Sequence, residues 1–213
     1  MGTLKVDNLQ KRDGTALITD GAASTNLLSQ AALRSAGVGM VKLNTTDITS
    51  ATPLLTFDNT LITDNYDKYM LSYQGLNPVT QGAKLRSRYS TDNGSSFETG
   101  TFNYGYQYSR LGSSAAAQNG STKTDYAVSD FSNHTTTADH ASGMFSIDGL
   151  RDATLSLHIR HEFVQRSGTG SFYRNVAQEA WQYTKSVVIN YIEFSLDSGN
   201  FADGTFTLYG VTK

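Results

Sequence analysis

From Val38 to Lys213, apolar and polar residues alternate in short runs that match the two-residue side-chain period of a half-buried strand. Clusters of Gly, Asn, Asp and Ser separate the runs, for example at Asp92-Asn93-Gly94, and such clusters favour turns. This pattern predicts a mainly β domain over residues 38–213, an antiparallel β-sandwich or a barrel. The predicted strands are Met40–Asn44, Leu54–Phe57, Lys68–Tyr73, Leu85–Ser90, Thr101–Ser109, Tyr126–Asp130, Ser142–Ile147, Ala153–Phe163, Ser186–Ser195 and Thr205–Val211.

The first 37 residues differ from this pattern, and we predict that residues 1–37 form a separate N-terminal anchor. Alternation places Leu4, Val6 and Leu9 on one side of a short strand, and Asp13-Gly14 is a strong turn pair before a return strand at Ala16–Ile18. A hairpin this short is at best marginally stable alone. We therefore expect these apolar residues to dock the anchor on another surface.

The anchor also contains one window with helical character, Ser24–Ala36. Its apolar residues recur at helical spacing, Ser24 or Thr25 is suited to cap the N-terminus, and Gly37 stands where a C-cap belongs. The anchor is therefore predicted to be a short β-hairpin followed by one short helix.

Polar segments interrupt the strand pattern in the second half of the chain. Ser113–Lys123 and Ser132–His140 are predicted to be long loops or insertions, and Arg174–Glu179 is predicted to be an exposed loop. The Ser186–Ser195 run is rich in β-branched residues, so we expect this strand to be buried more fully than most.

Composition narrows the classes of function. The formal net charge is −2 and the sequence has no basic stripe, which argues against nucleic-acid binding. There is no cysteine, so disulfides and thiolate metal sites are excluded. The sequence contains no run of eighteen apolar residues, and its start lacks the apolar core of a secretory signal, so no membrane insertion is expected.

The histidines do not predict a metal site. His158 and His161 are close in sequence, but residues three apart on a strand point to opposite faces and cannot easily share one ion. His134 and His140 flank a threonine-rich loop, and no further ligand follows at a usual spacing. We expect all four side chains to have structural roles.

Two clusters of carboxylates and amides have the oxygen ligands that calcium prefers. One cluster contains Asp58, Asp64 and Asp67, and the other spans Asp197–Asp203. Neither has the EF-hand register, and Asx turns explain both without an ion. Turn formation is therefore the prediction, and calcium remains the alternative.

No catalytic constellation is visible in the sequence. There is no Gly-x-Ser-x-Gly elbow and no cysteine nucleophile. A glycosidase would need two carboxylates across a cleft, and nothing in the sequence pairs Glu162, Glu179 or Glu193. The chain is therefore expected to be neither an enzyme nor a cofactor-binding protein.

The aromatic residues form the clearest candidate contact surface. Alternation places Phe102, Tyr104, Tyr106 and Tyr108 on one face of a strand. Such a ladder fills a core or a subunit interface, or else it stacks on sugar rings. Trp181 and Tyr183 form a second candidate contact surface because they follow the predicted exposed loop.

Three stretches of the sequence resemble structural proteins of marine tailed bacteriophages, a group that includes fibre-like and decoration proteins. They are the opening TLKVDNLQKRDGTA, the central LLTFDNTLITDNYDKYMLSYQGLNPVT with LRSRYSTDNGSSF, and the closing INYIEFSLDSGNFADGTFTLYGV. The central stretch carries the SxDxGSS turn of that group, and the last stretch resembles its closing hairpin. Leu9 and Lys11 depart from the Ile and Asn that are more usual there.

This resemblance implies a virion component that is made in the host cytoplasm. It implies a homotrimer with a jelly-roll-like domain, attached to other virion proteins through its N-terminal segment. A tail fibre with a host-recognition role, which contacts surface polysaccharide, is the leading interpretation. A capsid decoration protein and a carbohydrate-binding module are the alternatives. Within the closing hairpin, Phe194 and Phe206 are expected to pack inward, and the last strand is expected to insert into a sheet.

Overall fold

The computed structural model describes residues 39–80, 82–100, 140–165, 182–184 and 186–212 with their side chains. It describes further residues by their strand pairing alone, at 9–10, 16–19, 22–23, 102–110, 116–119, 126–130, 166–167 and 173–181. The described strands are β1 (Leu9–Gln10), β2 (Ala16–Thr19), β3 (Ala22–Ala23), β4 (Met40–Ile48), β5 (Leu54–Phe57), β6 (Tyr66–Pro78), β7 (Lys84–Ser90), β8 (Phe102–Arg110), β9 (Ala116–Asn119), β10 (Tyr126–Asp130), β11 (Ala141–Asp148), β12 (Leu157–Ser167), β13 (Tyr173–Tyr183), β14 (Tyr191–Leu196) and β15 (Phe201–Thr212).

The chain divides into two compact units, Met1–Val41 with Thr212, and Lys42–Val211 with Lys213. The first unit contains a three-stranded antiparallel sheet in the order β1-β2-β3, in which Leu9 pairs with Ile18. The return strand predicted at Ala16–Ile18 is therefore present as β2, and the predicted Asp13-Gly14 turn lies outside the described residues. Leu4, Val6 and the predicted helix at Ser24–Ala36 lie outside the described residues.

The second unit is built from two sheets. The small sheet has the order β10-β7-β14-β5, and the large sheet has the order β4-β15-β6-β11-β12-β13-β8-β9. Eight of these strands form neighbouring pairs that are nested in the sequence: β4 with β15, β5 with β14, β6 with β11, and β7 with β10. Two four-strand layers with nested pairing are the arrangement of a jelly roll, so the predicted fold class is confirmed.

The remaining four strands, β12, β13, β8 and β9, continue the large sheet beyond β11, and we call them the extension. They arise from two insertions into the jelly roll, β8–β9 between β7 and β10 and β12–β13 between β11 and β14. The prediction of an exposed loop at Arg174–Glu179 is therefore wrong, because these residues lie in β13, which pairs with β12 and β8. The prediction of a long loop at Ser113–Lys123 is wrong in part, because this segment contains β9.

The interior between the two sheets is dominated by aromatic rings. Phe145 of the large sheet meets Phe194 of the small sheet with ring centroids 5.2 Å apart, and Tyr73 packs on Phe206 at 5.8 Å. Phe145, Phe194 and Phe206 are fully buried, which confirms the inward direction predicted for the last two. The last strand, β15, lies between β4 and β6, which confirms the prediction that it inserts into a sheet.

Two predicted strands begin later than their apolar residues suggested. The Ala153–Phe163 run becomes a strand only at Leu157, because the Asp152 carboxylate accepts hydrogen bonds from the backbone N–H and the hydroxyl of Thr154 and holds a turn there. The Ser186–Ser195 run becomes a strand only at Tyr191.

The residues before Tyr191 form a loop in which Ile189 is fully buried and donates its N–H to the Leu150 carbonyl. Val187 and Val188 are each 36% exposed, so the prediction that this run is buried more fully than most is wrong for its first residues. Of these three apolar residues, Ile189 is the one whose side chain is buried. The local sequence pattern does not distinguish such a loop from a buried strand.

Candidate functional site

The outer face of the small sheet carries an ion pair between neighbouring strands. Arg88 of β7 and Glu193 of β14 are directly opposite in the antiparallel register. The guanidinium donates from Nε at 3.0 Å and from an Nη at 2.7 Å to Glu193 Oε1. The Glu193 side chain is 8% exposed and the Arg88 side chain 40%, so the carboxylate lies beneath its partner. Burial of this acid depends on the arginine that covers it.

A segment that follows β7 folds over this ion pair, and we call Asp92–Gly100 the strap. Its Phe97 ring lies 3.8 Å from the Arg88 guanidinium carbon and makes an edge contact with Tyr191, with centroids 6.1 Å apart. A β-carbon at Gly94 would lie 2.9 Å from Tyr191 Cζ, so the strap can approach this ring closely only with glycine there. The guanidinium is therefore held between a carboxylate and an aromatic face.

The start of the strap is closed by hydrogen bonds to the Asp92 carboxylate. One carboxylate oxygen accepts from the Ser90 hydroxyl at 2.7 Å and the Ser96 N–H at 2.8 Å, and the other accepts from the Ser96 hydroxyl at 2.7 Å. Hydrogen bonds from Ser96, and then from Ser90, lower the pKa of Asp92 to about 2. Asn93 and Gly94 adopt positive φ of 58° and 89°, which completes the turn. These contacts explain the spacing of the SxDxGSS motif.

The end of the strap contacts the extension. Glu98 donates its backbone N–H to the Tyr89 carbonyl at 2.8 Å, and its Oε2 accepts the Tyr183 hydroxyl at 2.8 Å. Tyr183 is 8% exposed, and burial followed by the hydrogen bond to Glu98 raises its pKa to about 12. A β-carbon at Gly100 would overlap the Tyr183 ring. The strap thus joins β7 of the small sheet to β13 of the large sheet.

The strand register shows where the predicted aromatic contact residues lie. Tyr104 of β8 is opposite Trp181 of β13, and Phe102 is opposite Tyr183. In the same register Tyr106 is opposite Glu179 and Tyr108 is opposite Ala177. Directly opposed residues in antiparallel strands share a face, so these aromatic positions occupy one face of the extension. The Tyr183 side chain packs within the chain, against the strap.

His161 is fully buried on the inner face of β12. Its ring stacks on Phe145 at 4.0 Å and on Phe163 at 4.6 Å, and its Nε2 lies 2.9 Å from the Tyr73 hydroxyl. Burial lowers the pKa of His161 well below its usual value. His158 on the same strand is exposed, so the prediction that these two histidines face opposite ways is confirmed. His134 lies outside the described residues.

Carboxylates of the two predicted turn clusters accept hydrogen bonds from backbone N–H groups. Asp58 accepts hydrogen bonds from the N–H and the hydroxyl of Thr60, and these bonds lower its pKa. Asp197 accepts the Lys84 N–H at 2.7 Å. Asp58 therefore has the predicted turn role, whereas the bond of Asp197 joins it to a residue 113 positions away and is not the local Asx-turn bond that was predicted. The described part of the chain contains no group of three or more His, Asp or Glu residues placed to hold a metal ion.

The remaining acidic candidates have different positions from those expected for turns or for a catalytic pair. Asp64 pairs with Arg151 at 2.8 Å, and Asp203 lies within β15 instead of the preceding loop. Glu162 is exposed on the outer face of the large sheet, whereas Glu193 lies on the outer face of the small sheet. These two glutamates therefore do not face each other across a cleft.

Sequence reasoning missed the strap contacts made by Arg88, Phe97 and Glu98. The spacing of the SxDxGSS motif signals a turn, and Phe97 follows it directly, but no local pattern indicates which distant strand the aromatic ring will cover. No helix in the described part of the chain has the length and apolar character needed to span a bilayer.

Comparison of the chain with known proteins gives no match to a protein-family model, a curated protein or a solved structure.

Proposed function

We propose that this chain is a structural protein of a bacteriophage particle and has no enzymatic role. The support is the combination of the jelly-roll pairing with the three sequence stretches that resemble phage structural proteins. Two of these stretches have defined structural positions, since SxDxGSS starts the strap and the closing stretch forms β14 and β15. These two strands lie in different sheets and do not pair with each other, so the expectation of a closing hairpin was wrong. Jelly rolls are common among viral capsid domains.

Within the particle, the leading role is that of a tail fibre or fibre-like component that takes part in host recognition. Residues 1–37 attach the chain to other virion proteins through Leu4, Val6 and Leu9, and the sandwich is displayed outward. A capsid decoration protein is the alternative. The protein assembles as a homotrimer in both cases.

The test begins with density-gradient purification of phage particles whose genome encodes the chain. Mass spectrometry is expected to find the protein in the purified particles at a fixed ratio to a known tail or capsid protein. Immunogold labelling with antibodies to the full chain separates a tail position from a head position. Presence in the infected-cell lysate but not in the particles would refute the proposal.

The anchor is tested in the same particles with the full-length chain. Changing Leu4, Val6 and Leu9 together to aspartate is expected to abolish incorporation, because charged groups cannot replace an apolar docking face. A triple change of polar residues on the outer face of the large sheet, Lys68, Asp148 and Arg160 to serine, is the control and should leave incorporation unchanged. Light scattering of the purified protein should give three times the chain mass of 23.1 kDa.

A second candidate function is binding of a host polysaccharide, and one observation favours it. The register brings Tyr104 opposite Trp181 on one face of the extension, and paired aromatic rings suit stacking on sugar rings. Changing Tyr104, Tyr106, Tyr108 and Trp181 to alanine should abolish binding on a glycan array. Gln107→Ala, on the opposite face of β8, is the control. Binding that survives loss of all four rings would exclude this role.

A further inference from the structure

The strap joins two parts of the sandwich that have no strand pairing with each other. It leaves β7 of the small sheet at Ser90 and continues toward β8 of the extension, which starts at Phe102. The order of the sheets places β7 and β8 in different layers. A short connection between two layers fixes their relative position only if its side chains hold both ends.

The strap is held at the end that lies on the small sheet. The Asp92 carboxylate closes the turn, the Phe97 ring is held between Arg88 and Tyr191, and the Glu98 N–H is bonded to the Tyr89 carbonyl. These contacts combine hydrogen bonds, a cation–π contact and aromatic packing, so this end does not depend on one interaction.

At the other end of the strap, the contacts among the described residues centre on Tyr183. The Tyr183 hydroxyl donates to Glu98 Oε2 at 2.8 Å, and the Tyr183 ring lies against Gly100. Tyr183 is the last residue of β13 and is opposite Phe102, the first residue of β8. Tyr183 therefore connects the strap to both central strands of the extension.

We propose that the strap is a conformational device that fixes the β13–β8 part of the extension to the small sheet through the Tyr183–Glu98 contact. When this contact is broken, β13 and β8 open as a local unit and the jelly-roll core stays folded. Local opening of a contiguous unit below the global unfolding energy is common in proteins. The coupling holds whether or not the chain belongs to a particle, and it determines how firmly the aromatic face of the extension is presented.

Hydrogen exchange of the full-length protein, followed by mass spectrometry, tests the proposal. In Tyr183→Phe, amides of β13 and β8 are expected to exchange about tenfold faster or more, the size that loss of a hydrogen bond to a carboxylate produces. Amides of β14 and β15 should keep their wild-type rates. Tyr69→Phe is the matched control, because it removes a buried hydroxyl that is bonded to Thr63 and not to a residue of the strap.

Two further variants separate a specific contact from general loosening. Glu98→Ala should reproduce the regional pattern, and the Glu98→Ala/Tyr183→Phe double variant should exchange no faster than the more affected single variant, since both remove one interaction. Gly100→Ala displaces the Tyr183 ring without removing either bonding group and should accelerate the same two strands. Unchanged exchange in β13 and β8, equal acceleration throughout the sandwich, or multiplied effects in the double variant would each overturn the proposal.

Discussion

Two neighbouring residues of β14 are buried to almost the same extent on opposite faces of the small sheet. Phe194 is fully buried in the interior between the sheets, and Glu193 is 6% exposed on the outer face. Phe194 contacts the apolar rings of Phe57 and Phe145. Glu193 is covered instead by Arg88 and the strap. The interior thus depends on apolar area, and the outer face depends on the geometry of a few polar groups.

The largest effect is expected where a ring is removed from the interior. Phe194→Ala should lower the free energy of unfolding by about 3–5 kcal/mol, because it loses the transfer energy of the ring and leaves a cavity between the sheets. Urea denaturation measures this change. Ser195→Ala, on the outer face of the same strand, should stay within about 0.5 kcal/mol. Equal losses in the two variants would contradict the contrast between the faces.

Acid should weaken the interior through His161. The pKa of His161 in the folded chain lies below the ordinary value of about 6.5. Below pH 6.5 the unfolded chain therefore binds a proton at this residue that the folded chain does not bind. The stability from this group is therefore present above pH 6.5 and falls below it, by about 1.4 kcal/mol per pH unit.

Chemical denaturation between pH 7.5 and 5 measures this dependence. The slope below pH 6.5 should be absent in His161→Gln relative to the wild type, and it should persist when the exposed His158 is changed to glutamine. A slope that disappears with His158 and remains without His161 would contradict the assignment.

On the outer face, the Arg88–Glu193 pair is expected to contribute less. A double-mutant cycle with Arg88→Met and Glu193→Gln should give a coupling energy of about 1 kcal/mol, because the half-exposed guanidinium is screened by water. The coupling should decrease in 1 M salt, where the screening length is about 3 Å. A coupling energy near zero, or one that salt leaves unchanged, would show that the pair does not hold this face through its charges.

The smallest effect concerns the turn at the start of the strap. The pKa of Asp92 is about 2, so the stability from its ionised form is present above about pH 3.9, the unfolded value, and is lost as the pH falls through 2. NMR titration of the carboxyl carbon should show this midpoint in the wild type. In Ser96→Ala the midpoint should move upward, because the largest cause of the shift is removed. An unmoved midpoint would contradict the hydrogen-bond explanation.

The sequence predicted those strands well whose residues alternate clearly. Leu54–Phe57 and Tyr126–Asp130 have the predicted bounds, and Leu85–Ser90 differs by one residue. In these segments one face meets the core and the other does not, or turn residues mark the ends, so the local pattern carries the information. The Asp92 turn was predicted for the same reason, because its hydrogen bonds join residues that are close in sequence.

Segments without that local signal were mispredicted. β13 contains Asn175, Gln178, Glu179 and Gln182, and this polarity made part of it look like an exposed loop. Its two neighbouring strands satisfy its backbone N–H and carbonyl groups whatever the side chains are. Polar content therefore concealed a strand that backbone pairing holds in the middle of the sheet.

The candidate site shows the same difference between features that depend on nearby residues and features that depend on distant ones. The aromatic positions of β8 were found from alternation, but their alignment with Trp181 depends on the register of two strands far apart in the sequence. The use of Tyr183 within the chain could not be predicted, because its partner Glu98 is 85 residues away.

The amino-acid sequence by itself determined that this chain is mainly β, where most of its strands lie, and which turn carries the Asp92 network. Those features depend on neighbours within a few residues, whose side chains alternate or bond to adjacent backbone. Only the tertiary structure decided the nested pairing of the jelly roll, the position of the extension, and the partners of Glu193 and Tyr183. These choices join residues about 100 positions apart, and they are made by the total apolar burial and strand pairing of the folded chain rather than by any local preference.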